Sequence, residues 1–403
     1  KRQIHDAKEE SINTILEMAQ YKEQNLKALV VAGCLAERYK DEILKEIPEI
    51  DAVLGTTSYD SIVEAVNTAL EENTGEHFEH YESIDYLPDN SEVERVVTTG
   101  NHMAYLKIAE GCDKRCSYCI IPKIRGRFRS VPMQELLNEA KRLASEGVKE
   151  LVLVAQETTL YGKDLTGEKQ LPLLLHELCK IEGIEWIRLL YCYPEEITDE
   201  LIKVIKTEEK VCNYIDMPIQ HSENRILQRM GRRTSREDLV AVIKKLRKEI
   251  PDITIRTTLI TGFPGESQED HEGLMNFVEE CQFDRLGVFT YSPEEDTLAA
   301  TFEDQIDEEV KEERRDELMS LQQEISYEHT QQLVGKTIKV MVEGYLFEDD
   351  IYVGRSYMDA PKVDGCVFIN SPEELMTGDF VYVKITQGRE YDVIGEVDYE
   401  FTK

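Results

Sequence analysis

The sequence lacks any apolar run long enough to cross a lipid bilayer, which takes about 20 consecutive apolar residues. We expect no secretory leader, because the first residues are polar and fit an amphipathic helix; the sequence does not begin with Met. Apolar residues nevertheless make up 41% of the 403 residues, which is enough to fill more than one core. We therefore expect a soluble, cytoplasmic protein of several domains, and the abrupt start favours a truncated or processed chain.

Basic residues are scarce relative to acidic ones. The chain carries 47 Lys and Arg against 81 Asp and Glu, a formal net charge of −34 at pH 7. A negative field of this size disfavours non-specific nucleic-acid binding and favours basic partners. The same composition also suits a generally acidic, well-solubilised surface. Both interpretations stay open at this point, and neither a membrane nor nucleic acid is expected as a partner.

The even, regular cysteine spacing of a secreted disulfide framework is also missing. The nine cysteines are odd in number and irregularly spaced, which fits a reducing cytoplasm. Some of them can then serve as metal ligands, while others act as small apolar side chains. We interpret five isolated cysteines as packing residues: Cys179, Cys192, Cys212, Cys281 and Cys366.

The hydrophobic pattern divides the chain into three parts. Residues 1–90 alternate strand and helix patterns and end in a polar linker. Residues 91–334 interleave six strand patterns with helices and finish on a long charged helix, which favours a parallel sheet in a partial barrel. Residues 335–403 switch to five short strands with Gly turns, which predicts a small antiparallel β-barrel. The predicted fold class is therefore α/β: a partial (β/α)6 barrel, preceded by an incomplete α/β domain and followed by the β-barrel.

Three cysteines lie within eight residues in the stretch AEGCDKRCSYC. Cys112, Cys116 and Cys119 form a C-x3-C-x2-C pattern after the first strand of the predicted barrel, and barrels carry their function at that end of the strands. A structural zinc site needs a fourth ligand, and the nearest candidates, His176 and Cys179, lie on a predicted helix. Three thiolates without a fourth fit a 4Fe–4S cluster that leaves one iron open for a substrate.

This cysteine pattern resembles the radical S-adenosylmethionine (SAM) superfamily. The longer stretch GCDKRCSYCIIPKIRGRFRS is similar to the methylthiotransferases, in which a CSYC-I-x-P element continues into RG-x-x-RS. The order of the parts agrees with that family: an N-terminal α/β domain, a radical SAM domain and a TRAM-like β-barrel. The resemblance implies a transferase that uses a 5′-deoxyadenosyl radical from SAM, inserts sulfur into a C–H bond and methylates the sulfur. A non-catalytic metal-binding scaffold is the alternative from another functional class.

Three motifs resemble the RimO-like branch of this family: WIRLLYCYP, GVFTYSPEEDTLAA and MDAPKVDG. That branch modifies the β-carbon of an aspartate in a small-subunit ribosomal protein. From Lys336 to Lys403 the predicted β-barrel holds seven Lys and Arg against fourteen Asp and Glu, a net charge of −7. The resemblance implies a ribosomal protein as substrate and an electron donor as second partner, and the negative charge predicts that this basic protein docks through the β-barrel. The alternative is the MiaB-like branch, which modifies isopentenylated adenosine in tRNA and should carry a basic β-barrel.

The resemblance also implies a set of cofactor-binding residues beside the three clustered cysteines, which would be both catalytic and metal-binding. Gln156 and Glu157, at the end of the second barrel strand, would contact SAM or the substrate, although they fit water-facing strand ends nearly as well. Arg256, on the fifth strand, would pair with the cofactor carboxylate if it faces the barrel interior. Gly262 would let the backbone approach a ligand closely, or would simply form a turn.

The family's N-terminal domain carries a second cluster on three cysteines, and Cys34 in VVAGCLAERY is the match that this chain supplies. The other two would precede Lys1, so the sequence predicts either truncation or a protein without the auxiliary cluster. We favour truncation, and we expect the second 4Fe–4S cluster in the full-length protein with Cys34 as a ligand. Without the resemblance, Cys34 would be interpreted as a buried thiol at a strand end.

Overall fold

A computed structural model gives the fold of this protein, and it describes residues 2–40, 42–71, 77–88, 95–98 and 100–401. The chain divides into two units that interleave along the sequence. Unit 1 comprises Lys1–Val93, Glu110–Arg129 and Tyr291–Phe302, and unit 2 comprises Glu94–Ala109, Ser130–Thr290 and Glu303–Lys403. The division after residues 90 and 334 stays a prediction.

Strands and helices alternate along most of the chain. The strands are β1 (Val30–Ala32), β2 (Ala52–Leu54), β3 (Phe78–His80), β4 (Met103–Lys107), β5 (Ala109–Glu110), β6 (Arg129–Ser130), β7 (Glu150–Val154), β8 (Trp186–Leu189), β9 (Tyr214–Asp216), β10 (Thr254–Thr261), β11 (Arg285–Thr290), β12 (Thr337–Leu346), β13 (Ile351–Ser356), β14 (Val367–Asn370), β15 (Phe380–Gly388) and β16 (Val393–Val397). The helices are α1 (Arg2–Gln20), α2 (Cys34–Arg38), α3 (Ile43–Glu46), α4 (Ile62–Leu70), α5 (Ile121–Arg125), α6 (Met133–Ser145), α7 (Lys163–Thr166), α8 (Leu171–Cys179), α9 (Asp199–Thr207), α10 (Asn224–Arg229), α11 (Arg236–Glu249), α12 (Gln268–Cys281) and α13 (Glu308–Gln331). In the described ranges, no helix has both the length and the apolar character needed to cross a membrane.

Unit 1 contains a parallel sheet with the strand order β1-β2-β3. The predicted strand–turn–helix patterns are confirmed in β1–α2 and β2–α4. Gly33 has a φ of +110°, a conformation open to glycine that turns the chain sharply from β1 into α2. The linker prediction is wrong at Phe78–His80, where β3 pairs with β2. The polar composition of this stretch does not indicate a strand, because the strand forms through backbone hydrogen bonds to β2, which is distant in the sequence.

The parallel strands of unit 2 form the predicted partial barrel. β4, β7 and β8 make one parallel sheet, and β9, β10 and β11 make another. A parallel bridge between Ile187 and Val211 joins the two sheets. Within the described part of the chain β11 does not pair with β4, so the barrel is open. The α/β fold class and the six-strand partial barrel are therefore confirmed, and the carboxyl ends of these strands share one edge.

Residues 335–401 form a closed β-barrel, as predicted, with the strand order β12-β13-β14-β16-β15. Val342, Ile369 and Val383 are fully buried in its interior. The pairs are antiparallel except for β14 and β16, which run parallel because β15 intervenes between them in the chain. That pair differs from the all-antiparallel prediction. Closure leaves the barrel without an open sheet edge.

Buried charges attach this β-barrel to the amino ends of the parallel strands in unit 2. Glu150, the first residue of β7, accepts hydrogen bonds from Arg188 Nε at 2.8 Å and from Arg355 Nη2 at 2.6 Å. All three side chains are essentially inaccessible to water. Arg285, the first residue of β11, pairs with Asp359 in the loop after β13 at 2.6 Å. Buried charges are tolerated when they are paired, so these contacts fix the β-barrel on that end of the strands.

Candidate active site

The three clustered cysteines lie in a loop of unit 1 whose backbone folds back on itself. Cys112 and Cys116 are buried, and Cys119 is partly exposed. The Cys112 N–H donates to the Gly126 carbonyl at 3.2 Å, and the Cys119 N–H donates to the Cys116 carbonyl at 3.0 Å. The loop is therefore held by the RG-x-x-RS element that follows it in the sequence.

Gly111, directly before the first cysteine, makes this enclosure feasible. Its φ is +76°, and a Cβ atom there would lie 2.0 Å from the Arg127 carbonyl oxygen. Beside this crossing, the Phe128 N–H donates to Asp113 Oδ1 at 3.2 Å. Any side chain at position 111 would force the two segments apart, so the glycine is a requirement of the loop.

Arg125 connects Cys34 to the loop segment within unit 1. Its Nε lies 3.2 Å from Cys34 Sγ, and its Nη1 lies 3.2 Å from Glu110 Oε2. Burial disfavours the charge on Arg125, but Glu110 and Cys34 outweigh burial, so the pKa of Arg125 lies above its ordinary value. The Thr56 hydroxyl also donates to the Ile124 carbonyl at 3.0 Å. The structure thus brings Cys34 together with Arg125, which follows the three clustered cysteines in the sequence.

The donor chemistry of the loop fits an iron–sulfur cluster. It offers three thiols on one segment, two of them shielded from water. A paired guanidinium lies at the end of α5 in the same unit. In the described ranges, no three His, Cys, Asp or Glu side chains already converge as metal ligands. The assignment of Cys112, Cys116 and Cys119 as ligands therefore stays a prediction.

Gln156 and Glu157 lie at the carboxyl end of β7 in unit 2. Glu157 is fully buried and accepts a hydrogen bond from the Thr159 hydroxyl, so it does not face water. The Gln156 Oε1 atom is buried too, and no described residue gives it a hydrogen bond. A buried acceptor without a partner is costly, and a bound ligand would satisfy it. Contact of either residue with SAM or the substrate stays a prediction.

Arg256 faces carboxylates in the interior of unit 2. Its Nη1 donates to Asp216 Oδ1 at 2.8 Å, and its Nε lies 3.3 Å from Asp364 Oδ1 in the loop between β13 and β14. Burial disfavours the charge on Arg256, but Asp216 and Asp364 outweigh burial and raise the pKa of Arg256. These partners are protein residues, and pairing of Arg256 with a cofactor carboxylate stays a prediction.

Gly262 follows β10 with a φ of +65°. A Cβ atom at this position would lie 2.1 Å from Cγ of Lys311 on α13. The close approach that this glycine permits in the described structure is therefore an approach to α13. The predicted approach to a bound cofactor stays a prediction.

Three family descriptions match parts of this chain: Radical SAM superfamily over residues 106–278, TRAM domain over 334–397, and Uncharacterized protein family UPF0004 over 3–55. The ribosomal protein uS12 methylthiotransferase RimO of Lachnoclostridium phytofermentans is 60% identical over 396 residues, which cover 98% of this chain and 89% of that protein. The protein of the same name from Clostridium botulinum (strain Hall) is 49% identical over 401 residues, 99% of this chain and 89% of its own length. The chain belongs to the RimO family.

Membership in the RimO family settles the enzyme class. The chain is a radical SAM methylthiotransferase, as predicted, and the non-catalytic scaffold is set aside. The radical SAM superfamily implies a 4Fe–4S cluster and SAM as cofactors. The TRAM match agrees with the closed β-barrel. A second cluster with Cys34 as a ligand stays a prediction.

Sequence reasoning missed two strained residues at the carboxyl edge of the RimO-family barrel. Tyr191 follows β8 with a φ of +58°, and Gln220 follows β9 with a φ of +74°. Residues other than glycine rarely adopt the left-handed region, and those that do cluster at functional sites. Neither hydrophobic periodicity nor composition marks such a conformation. The available signal was the motif WIRLLYCYP, which contains Tyr191 and contributes to the family resemblance.

Proposed function

We propose that this chain methylthiolates ribosomal protein uS12 at the β-carbon of an aspartate. The observation that carries the proposal is the identity of 60% and 49%, over nearly the whole chain, with proteins named ribosomal protein uS12 methylthiotransferase. Radical chemistry suits this target, because the C–H bonds of a β-carbon are not activated and ordinary side chains cannot remove their hydrogen. A basic ribosomal protein also suits an enzyme with a net charge of −34.

Candidate residues for this chemistry are found in unit 1 and in unit 2. In unit 1 the thiolates of Cys112, Cys116 and Cys119 would bind the cluster, and the burial of the first two keeps water from their sulfur atoms. When bound, the cluster and SAM supply a 5′-deoxyadenosyl radical that removes a hydrogen atom from the substrate. In unit 2 the buried Gln156 Oε1 would accept a hydrogen bond from SAM or the substrate. Glu157, Arg256 and Gly262 are further candidates for contact with SAM.

Cys34 is the proposed ligand of a second 4Fe–4S cluster. It lies within the region that matches family UPF0004, is partly exposed, and begins α2 directly after the Gly33 turn. The Arg125 guanidinium at 3.2 Å would balance the charge of a Cys34 thiolate. The sulfur that enters the product and the reducing electrons must both come from outside the described residues, so an electron donor is a further proposed partner.

The C-terminal β-barrel is the proposed docking surface for uS12. Its net charge of −7 repels phosphate and attracts a protein rich in Lys and Arg. A groove of about 710 Å³ on this β-barrel combines aromatic rings with carboxylates, which together suit cationic side chains. Three tyrosines and four acidic residues contribute to its lining: Tyr345, Tyr352, Tyr399, Asp350, Glu373, Glu374 and Glu396.

The test presents the anaerobically reconstituted full-length enzyme with uS12 and, in a separate reaction, with isopentenylated tRNA. We expect a gain of about 46 mass units on uS12, the replacement of H by SCH3 that the family chemistry implies, and none on tRNA. In the triple variant Cys112→Ala, Cys116→Ala and Cys119→Ala, we expect iron content to fall and 5′-deoxyadenosine to disappear. A Cys179→Ala variant is the control for loss of an unrelated thiol. Modification of tRNA alone would overturn the assigned substrate, and unchanged iron in the triple variant would overturn the assigned ligands.

A further inference from the structure

Tyr191 combines backbone strain with an exposed aromatic ring. It lies two residues beyond the end of β8, at the carboxyl edge of the partial barrel, with a φ of +58°. A bulky side chain is disfavoured in this region of backbone conformation, because its Cβ atom crowds the following carbonyl oxygen. Nearly half of the residue, 48%, is exposed to solvent, so burial of the ring does not explain the strain.

Hydrogen bonds from two neighbouring strand ends hold this conformation. The Tyr191 N–H donates to Asp216 Oδ2 at 3.0 Å, and Asp216 is itself held by Arg256 through its other oxygen at 2.8 Å. The Tyr191 carbonyl accepts hydrogen bonds from the Thr158 N–H and the Thr158 hydroxyl, both at 3.1 Å. Strained residues persist where their surroundings determine their conformation several times over. The fold therefore maintains the presentation of this ring.

The neighbouring Tyr193, at the same edge, has a cation over its ring. The Arg232 guanidinium lies over the Tyr193 ring, 4.4 Å from its centroid. Across the described ranges, the Tyr191 ring has no cation or aromatic partner, and its hydroxyl has no hydrogen-bond partner. Burial of part of the side chain and the nearby Asp216 raise the pKa of Tyr191, so its phenol is neutral at physiological pH. Tyr191 thus offers a free aromatic face.

Tyr191 is joined to the segment that carries the candidate residues Gln156 and Glu157. Thr158, the next residue, bonds to the Tyr191 carbonyl, and the Tyr193 N–H donates to the Thr159 hydroxyl oxygen at 3.2 Å. The segments that follow β7 and β8 therefore form one hydrogen-bonded surface at the carboxyl edge. In open and closed barrels alike this is the edge at which substrates bind.

We propose that Tyr191 is a specificity-determining residue that places its ring against a lysine or arginine side chain of the substrate protein, beside the aspartate to be modified. A cation over an aromatic face is stabilised by the ring quadrupole, and the strength of the contact does not depend on the hydroxyl group. The inference rests on the proposed function, since it assumes a basic protein substrate. The contact gives the enzyme a means of selecting an aspartate next to a basic residue.

The experiment measures KM and kcat for uS12 with Tyr191→Phe, Tyr191→Leu and Tyr191→Gly. Phenylalanine keeps the aromatic face, so its KM should stay within about twofold of the parent. Leucine and glycine remove the face and should raise KM on the order of tenfold, with a smaller effect on kcat. Glycine accepts the left-handed conformation without strain, so Tyr191→Gly tests the ring even where the leucine variant folds poorly. Gln282→Gly, at another non-glycine residue with positive φ beyond α12, is the matched control and should keep the parent KM.

A second comparison isolates the cation contact from simple packing. Pentafluorophenylalanine has nearly the size of phenylalanine, but its ring quadrupole is reversed, so placing it at position 191 should raise KM about as much as leucine does. Equal KM values for the two rings would overturn the proposed cation contact. A parent KM in Tyr191→Leu and Tyr191→Gly, or a rise in the KM for SAM in place of that for uS12, would overturn the role of Tyr191. A parent enzyme that leaves uS12 unmodified would instead overturn the proposed function, and this inference with it.

Discussion

Individual residues bear the local strain of this protein in two segments assigned to its chemistry. Gly111 has a positive φ beside a carbonyl oxygen that leaves no room for a Cβ atom. Tyr191 has a positive φ although it carries a large ring, and hydrogen bonds keep it there. The two cases have opposite consequences for substitution. Position 111 tolerates no side chain, whereas glycine at position 191 would relieve strain and remove the ring.

The substitution Gly111→Ala should open the cysteine loop. Its methyl group would meet the Arg127 carbonyl at 2.0 Å, in addition to the strain of a positive φ. We expect iron content after reconstitution to fall to roughly half or less, because the loop loses the conformation that orients its thiols. Gly167→Ala is the matched control, since Gly167 has a φ of +85° and a methyl group added there would meet nothing within 4 Å. Equal iron loading in both variants would contradict the role of the crossing.

Secondary-structure elements meet through buried charge where the β-barrel joins the parallel strands. Glu150 on β7 holds Arg188 on β8 and Arg355 on β13 at once. A complete group of buried charges adds little to the free energy of unfolding, because the cost of desolvation offsets the attraction. Removal of one charge lowers the free energy of unfolding strongly, because the remaining charges stay buried with less compensation. The stability of this junction therefore requires all three charged side chains to be present.

The substitution Glu150→Gln should destabilise the protein by about 3–5 kcal/mol at pH 7, because the buried Arg188 guanidinium loses its carboxylate partner and Arg355 keeps Glu343 alone. Urea unfolding followed by circular dichroism measures the change. The control is Lys244→Gln, which breaks an exposed pair with Glu280 and should cost about 1 kcal/mol or less. A cost for Glu150→Gln as small as that of the control would contradict the assigned role.

The same carboxylate predicts a pH dependence. Burial disfavours the charge on Glu150, but Arg188 and Arg355 outweigh burial and hold the pKa of Glu150 below its ordinary value. A carboxylate with a lowered folded pKa stabilises the fold above its unfolded pKa, about 4.3 for Glu, and loses that contribution as pH falls through the folded value. The unfolding free energy of the parent should therefore fall more steeply below about pH 4 than that of Glu150→Gln. An equal pH dependence of the unfolding free energy in the parent and in Glu150→Gln would contradict this role of Glu150.

The sequence predicted elements better than it predicted their contacts. The periodicity of apolar residues was sufficient for the six parallel strands, and the spacing of Cys112, Cys116 and Cys119 was sufficient to propose a cluster. The partners of Arg256 could not be predicted, because Asp216 and Asp364 belong to other elements and Asp364 lies in the C-terminal β-barrel. The strand β3 escaped for the same reason, since its hydrogen bonds go to a distant neighbour.

The negative charge is distributed over the entire chain. A test of docking must therefore separate the charge of the β-barrel groove from the overall charge. The double substitution Glu373→Lys and Glu374→Lys changes two exposed carboxylates that line the groove of the β-barrel. We expect KM for uS12 to rise on the order of tenfold at low salt, and by less at high salt, because screening weakens surface attraction.

The control for that charge reversal is the adjacent exposed pair on α12, changed as Glu279→Lys and Glu280→Lys. It changes the net charge by the same amount, but on a helix that follows β10 of the partial barrel. Steady-state kinetics at two ionic strengths compares the variants. An equal rise in KM for both pairs would assign the effect to overall charge and would contradict docking on the groove.

Within unit 2 the β-barrel contacts the amino ends of the parallel strands, and the candidate residues Gln156, Glu157 and Tyr191 lie beyond their carboxyl ends. An eight-residue strand such as β10 spans roughly 26 Å at the usual rise per residue. A substrate protein bound to the β-barrel would therefore be held at a distance from the residues at the carboxyl edge. Such binding raises the effective concentration of the target aspartate at that edge, although the β-barrel does not itself contact the aspartate. In this arrangement one part of the protein would recruit the substrate, and residues at the opposite edge would choose the aspartate.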